Sequence, residues 1–246
     1  MRGIRRPVGL SGAVLGLALL APLALGAVSK GGPGSRPTPA CPSFDATNFH
    51  KSTTVNNSYW PLVPGTRFTY QGSAGKASVV DVVTVTRNTP RIDGVRTVEV
   101  HDQGYEDGML TEDTLDWYAQ DDQGNVWYFG ELSTQLPAGT HDGSWTAGAN
   151  GAQPGFIMEA APKVGDTYCQ ENAPGVAEDA AQVLSVSASS SVYGGFTGNV
   201  LQTKEYSLIE THNENKFYAP GVGMLEATSV TGPGENIKLY TVEQGV

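Results

Sequence analysis

The sequence predicts an all-β protein, an antiparallel up-and-down meander of about ten short strands forming a barrel or a curved half-barrel, with little helix. Three observations lead there. Runs rich in β-branched and aromatic residues recur at short spacing, as in 79–86 (VVDVVTVT) and 95–100 (VRTVEV). Reversals between them carry Asp-Gly steps, Asp93-Gly94 and Asp142-Gly143, where a two-residue turn needs positive φ. A helical period competes only over 176–184 (VAEDAAQVL), where Val176, Ala180, Val183 and Leu184 would share one face, so helix and strand both stay open there.

Taken in order, residues 1–27 read as an export signal. MRGIRR is basic, an apolar run follows, and Ala24, Gly26 and Ala27 supply the small residues of a cleavage site. An uncleaved membrane anchor is the alternative, since that run is long enough to span a bilayer. Residues 28–56 begin as VSKGGPGSRPTPACPS and form a flexible Gly, Pro and Ser rich arm. The folded domain is expected over 57–246 as a single barrel-like unit. Its strands are expected at 67–71, 79–86, 95–100, the two arms of 110–132, 166–171, 181–189, 199–210, 216–219, 224–231 and 237–242, with 104–108 a turn and 147–154 a small-residue loop.

The net charge is −10, and it becomes −13 once Arg2, Arg5 and Arg6 leave with the signal. Such a charge repels phosphate backbones and anionic lipid, so no nucleic-acid partner is expected and membrane contact only through the signal segment. Cations and neutral ligands stay open. The two cysteines, Cys41 and Cys169, are expected to pair in an oxidising, extracytoplasmic compartment. Lipid attachment at Cys41 is the other use of that thiol.

The residues between Leu110 and Leu132 carry the sharpest expectation. LTEDTLDWYAQDDQGNVWYFGEL reads as a hairpin turning at Asp122-Gln123-Gly124-Asn125. A two- or four-residue loop would put Leu115, Trp117 and Ala119 on one face with Val126, Tyr128 and Gly130, an ordinary packing face. The other face would carry Glu112, Thr114, Asp116, Tyr118 and Gln120 with Trp127, Phe129 and Glu131. Aromatic planes beside carboxylate acceptors are how sugar-ring and organic-cation sites are built, so Asp116, Tyr118, Trp127, Phe129 and Glu131 are the candidate ligand-binding residues. A solvated outer face is the bland reading of the same pattern.

Other chemistry finds weaker support. Asp116 with Glu131, or Glu171 with Glu178 or Asp179, could serve as an acid/base pair, but sequence does not supply their separation. The oxygen-rich turns at 106–108 and 121–125 do not match an EF-hand loop. His50, His101, His141 and His212 are scattered, and there is no CxxC pattern, no GxSxG motif and no phosphate-cradling glycine loop. No catalytic residue, metal or cofactor is therefore assigned.

Three phrases resemble a group of exported bacterial proteins and lipoproteins of uncharacterised function. They are Tyr59-Trp60-Pro61-Leu62-Val63-Pro64-Gly65-Thr66; Asp116 to Asp121 (DWYAQD) with Gly124 to Glu131 (GNVWYFGE); and Tyr218-Ala219-Pro220-Gly221-Val222-Gly223. The resemblance implies a barrel of the lipocalin-like or lipoprotein-carrier type in the cell envelope. A lipocalin-style Gly-x-Trp opening is approximated by Gly65-Thr66-Arg67-Phe68. The meander pattern, the aromatic content of the central hairpin and the absence of a catalytic signature make the leading expectation a non-enzymatic barrel holding a small hydrophobic or amphipathic ligand. A carboxylate enzyme on glycan or envelope material and a structural envelope protein with a filled core are the alternatives.

Overall fold

The structure is a computed structural model that describes residues 37–192, 195, 198–231 and 234–246; the expected export signal at 1–27 lies outside the described residues. Thirteen strands form the path of one antiparallel sheet, and a short fourteenth, Trp145–Thr146, pairs off it with Val126–Gln135. The thirteen are β1 (Thr66–Ala74), β2 (Ala77–Val85), β3 (Val98–Glu106), β4 (Met109–Gln120), β5 (Val126–Gln135), β6 (Gln153–Met158), β7 (Thr167–Cys169), β8 (Glu171–Asn172), β9 (Asp179–Ala188), β10 (Val200–Ser207), β11 (Asn213–Ala219), β12 (Gly223–Thr231) and β13 (Asn236–Gln244). Their hydrogen-bonded order is β7-β9-β10-β11-β12-β13-β1-β2-β3-β4-β5-β6-β8. The two ends of that path, β7 and β8, are one run of chain broken only at Gln170. The sheet is therefore nearly closed into a barrel, as the meander pattern predicts. Near-closure covers most of the strand edges that would otherwise invite aggregation.

Several expectations are corrected in detail. The expected small-residue loop over 147–154 ends early, at Gln153, where β6 begins; Pro154 and Gly155 hide its pattern, and its partners β5 and β8 on either side make it a strand. Strand β3 runs through Gly104, and the reversal sits later, at Asp107-Gly108, both with positive φ (49° and 79°). The open region resolves as strand β9 from Asp179, with Val176 and Ala177 in the turn before it. Pairing of β9 with β7 and β10 on its two sides decides this, as tertiary pairing overrides local helix preference.

The arm is anchored at two places. Cys41 and Cys169 form the expected disulfide, with Cα atoms 4.8 Å apart, and Ala40 bridges Tyr168 beside it. Further on, His50 binds the Asp122 carboxylate through its backbone N–H (3.1 Å) and its ring (2.6 Å), and this hydrogen bond is the main reason the Asp122 carboxyl sits below its ordinary range. Between these anchors Phe44 and Phe49 pack edge-on against Trp127 and Phe129.

One stretch of the wall is unlaced. Strands β12 and β13 pair only through Glu226↔Lys238, Ala227↔Ile237 and Thr228↔Asn236. From Leu239 onward β13 stays with β1, and its register slips between Leu239 and Thr241. A bulge of that kind bends its strand, and here the bend carries β13 away from the start of β12. Gly72 lets the other end cross closely: a Cβ there would lie 1.8 Å from the Asn236 carbonyl oxygen. Among the described residues, no strand pairs with the outer edge of 239–244.

Candidate functional site

The central hairpin folds with a five-residue turn, residues 121–125, in place of a two- or four-residue one. Asp121 explains the difference. Its Oδ1 accepts from the Gln123 and Asn125 N–H groups, and its Oδ2 accepts from Asn125 Nδ2 and Trp127 Nε1, all at 2.8–3.0 Å. The oxygen-rich turn is thus turn chemistry, with Asp121 already filled by N–H donors. The extra residue reverses the pairing near the turn, so Tyr118 faces Tyr128 and Ala119 faces Trp127. A bulge between Asp116 and Tyr118 then restores the expected partnership of Asp116 with Glu131. Gly130 makes that bulge possible at φ 121°, where a Cβ would meet the Trp145 carbonyl oxygen at 2.3 Å.

The candidate ligand-binding residues therefore divide. Asp116, Tyr118 and Glu131 share the inner face of the barrel, joined by Tyr128, which had been read as a packing-face residue. Trp127 and Phe129 lie on the outer face, beneath Phe44 and Phe49 of the arm. The expected burial is also inverted on β4: Glu112, Thr114, Asp116 and Tyr118 are fully buried while Leu115 and Trp117 are half-buried.

Inside, Tyr118 and Tyr128 stack with ring centroids 4.8 Å apart, 15° from parallel. The Tyr128 hydroxyl lies 2.6 Å from Asp116 Oδ1 and 3.1 Å from Glu131 Oε2. A hydroxyl has one proton to donate, so the second of these hydrogen bonds needs a protonated carboxyl. Burial supplies the reason. It raises Asp116 to about 7, aided by the Glu112 charge and opposed by the Tyr128 hydrogen bond. Burial likewise lifts Glu131 well above the carboxylate range, with Glu171 and Asp116 adding to it. Glu171 is raised by burial and by Asp179, against a hydrogen bond from Trp145 Nε1 at 3.2 Å.

The same interior holds groups that sequence reasoning missed. Lys216 lies between Glu205 and Glu214 at 2.9 Å from each, and Tyr218 donates to Glu205 at 2.7 Å. Burial pulls the Lys216 ammonium down, but the two carboxylates outweigh it and hold it above its usual range. Asp81 is fully buried, and burial raises it well above the carboxylate range with Glu235 next in weight. Signals were present in the sequence: Asp81 interrupts a valine strand, and Glu214, Lys216 and Tyr218 alternate at period two.

A small apolar slot opens where the start of β12 leaves β13. It encloses about 20 Å³ among Trp60, Leu62, Phe68, Tyr70, Val83 and Met224. The Tyr70 hydroxyl donates to the Met224 carbonyl oxygen at 3.3 Å, linking β1 to β12 across the unlaced stretch. Trp60 separates the slot from the polar interior, its ring packed 5.6 Å from Tyr118 and 5.8 Å from Tyr218. The Trp60 indole N–H is buried with no acceptor. By contrast, Asp116 and Glu131 are 0% and 1% exposed, so as an acid/base pair they give a glycan no approach in this conformation.

No family model matches the chain. No curated protein matches it either. Among solved structures, the chain is similar to a proposed lipoprotein from Parabacteroides distasonis at 10% identity and a TM-score of 0.33, over 76% of this chain and 99% of that one. A likeness this faint carries no argument, and the barrel rests on the chain's own strand pairing.

Proposed function

We propose that this protein is an extracytoplasmic barrel that binds one small amphipathic ligand, with the apolar part in the slot beside Trp60 and the polar part toward the inner face of the central hairpin. The observation that carries this reading is the slot's position: an apolar pocket beside an unlaced stretch of wall, with Trp60 packed between it and Tyr118 of the polar interior. At about 20 Å³ the slot has room for roughly one water as it stands. Binding a larger apolar group therefore requires β12 and β13 to part further. That costs little where no ladder hydrogen bonds join them and one tyrosine hydroxyl spans the gap. The Cys41–Cys169 disulfide supports an oxidising compartment. Small closed barrels are either filled by side chains or hold one small ligand.

Native mass spectrometry of protein purified from its own host, with Nile red titration of the stripped protein, tests the reading. We expect a co-purifying small molecule and saturable dye binding. Filling the slot with Val83→Phe should weaken dye binding by tenfold or more while the circular dichroism spectrum stays that of wild type. Absence of both a bound mass and saturable dye binding overturns the proposal.

A further inference from the structure

Resting on that reading, we infer that the polar end of the ligand is a cation: the barrel selects an amphipathic amine over its neutral or acidic analogue. Among the described residues, eleven carboxylate side chains are buried against a single buried lysine, and that lysine is already paired with Glu205 and Glu214. The surplus is one of acceptors. Asp116 Oδ2, Glu131 Oε1, Glu112 Oε2 and Glu171 Oε2 are all buried with no hydrogen-bond donor, although the side chains that bear them are at least nine-tenths buried. Buried polar atoms are normally satisfied, so unfilled acceptors on four neighbouring acids describe a place that lacks donors. Asp81 adds to the excess of acids: it is buried, and the side chain hydrogen-bonded to it is Glu235, a second carboxyl.

A primary ammonium group brings three donors and a positive charge that favours release of the protons these acids hold, and an anionic head would bring neither. The stacked pair Tyr118 and Tyr128, with Trp60 beside it, adds aromatic faces that attract a cation. A bare metal ion fits less well, because among the described residues no three of these side chains converge as metal ligands. The slot supplies the second half of the recognition. Its walls are apolar, so the amine must carry an alkyl or aryl tail.

The test compares dodecylamine, dodecanol and dodecanoate, below their aggregation limits, as competitors of Nile red on the full mature chain. Dodecylamine should bind at least tenfold tighter than dodecanol, with dodecanoate weakest. In the double variant Asp116→Asn, Glu131→Gln the ratio of amine to alcohol affinity should fall toward one, whatever the change in absolute affinity. Equal binding of amine and alcohol to wild type overturns the inference and leaves the ligand-binding reading standing. Failure of all three to bind overturns both.

Discussion

At the scale of single residues, the interior is governed by competition between burial and hydrogen bonding. Asp116, Asp179 and Glu235 are raised to about 7, about 7 and about 8, with burial the leading cause in each case. Carboxyls of the unfolded chain titrate near 4, so the folded protein keeps protons that the unfolded chain releases between roughly pH 4 and 8. The stability these groups contribute is complete below about pH 4 and is lost as pH rises through 7 to 8. Glu214 works the other way. Burial raises it, but Lys216 and His212 outweigh that and lower it, so its contribution is lost on acidification. Raised groups are the majority, and we expect the melting temperature to fall steadily from pH 5 to pH 8. Asp116→Asn should flatten that slope and match or exceed wild-type stability at pH 8. A melting temperature that climbs over this range would contradict the assignment of buried, proton-holding carboxyls.

At the scale of elements, two irregularities shape the site. The bulge at Trp117 and Gly130 lets one hairpin present both the Tyr118–Tyr128 stack and the Asp116–Glu131 pair on its inner face. Without it, the five-residue turn would send Glu131 outward. The slip at Tyr240 parts β13 from β12 and leaves residues 240–244 exposed. Amides without a ladder partner exchange readily, whereas paired amides of a closed barrel need a larger opening. Hydrogen exchange should therefore show the outward-pointing amides of 240–244 exchanging well ahead of those of β4 and β5. Tyr70→Phe, which removes the hydroxyl bound to Met224, should speed exchange at the start of β12 and leave β4 unchanged. Uniform protection around the barrel would remove the unlaced stretch as a route for ligand.

At the scale of the whole molecule, closure depends on a seam at Gln170, where the chain passes from pairing with β9 to pairing with β6. The disulfide fixes the arm at this seam and joins residues 128 apart in sequence. Closing a loop of that length in the unfolded chain is worth about 4–5 kcal/mol in the chain-entropy description. We expect the paired substitution Cys41→Ser, Cys169→Ser to lose a substantial part of that, measured by urea denaturation, while the barrel's circular dichroism spectrum persists. Loss of the spectrum itself would mean that the seam cannot close without the bond. The outer aromatic cluster of Phe44, Phe49, Trp127 and Phe129 gives the arm a second attachment. That attachment makes Trp127 and Phe129 a docking face for the arm, apart from the interior.

Sequence by itself determined the class and the local chemistry. Alternating β-branched strands, Asp-Gly turns such as Asp93-Gly94 and the spaced cysteine pair were all legible, because strand period and turn geometry are local properties of the chain. The partnership of Asp116 with Glu131 was legible too. What the tertiary structure decided was which face is inside. Strand period says that Asp116 and Trp117 point opposite ways; only barrel closure says that the carboxylate goes in and the tryptophan out. The register near the turn depended on Asp121 filling its oxygens with four donors, and β6 depended on partners distant in sequence. Lys216, Asp81 and Trp60 belong to the site only because closure brings strands far apart in the chain onto one interior, where water is excluded and each buried charge must find a partner.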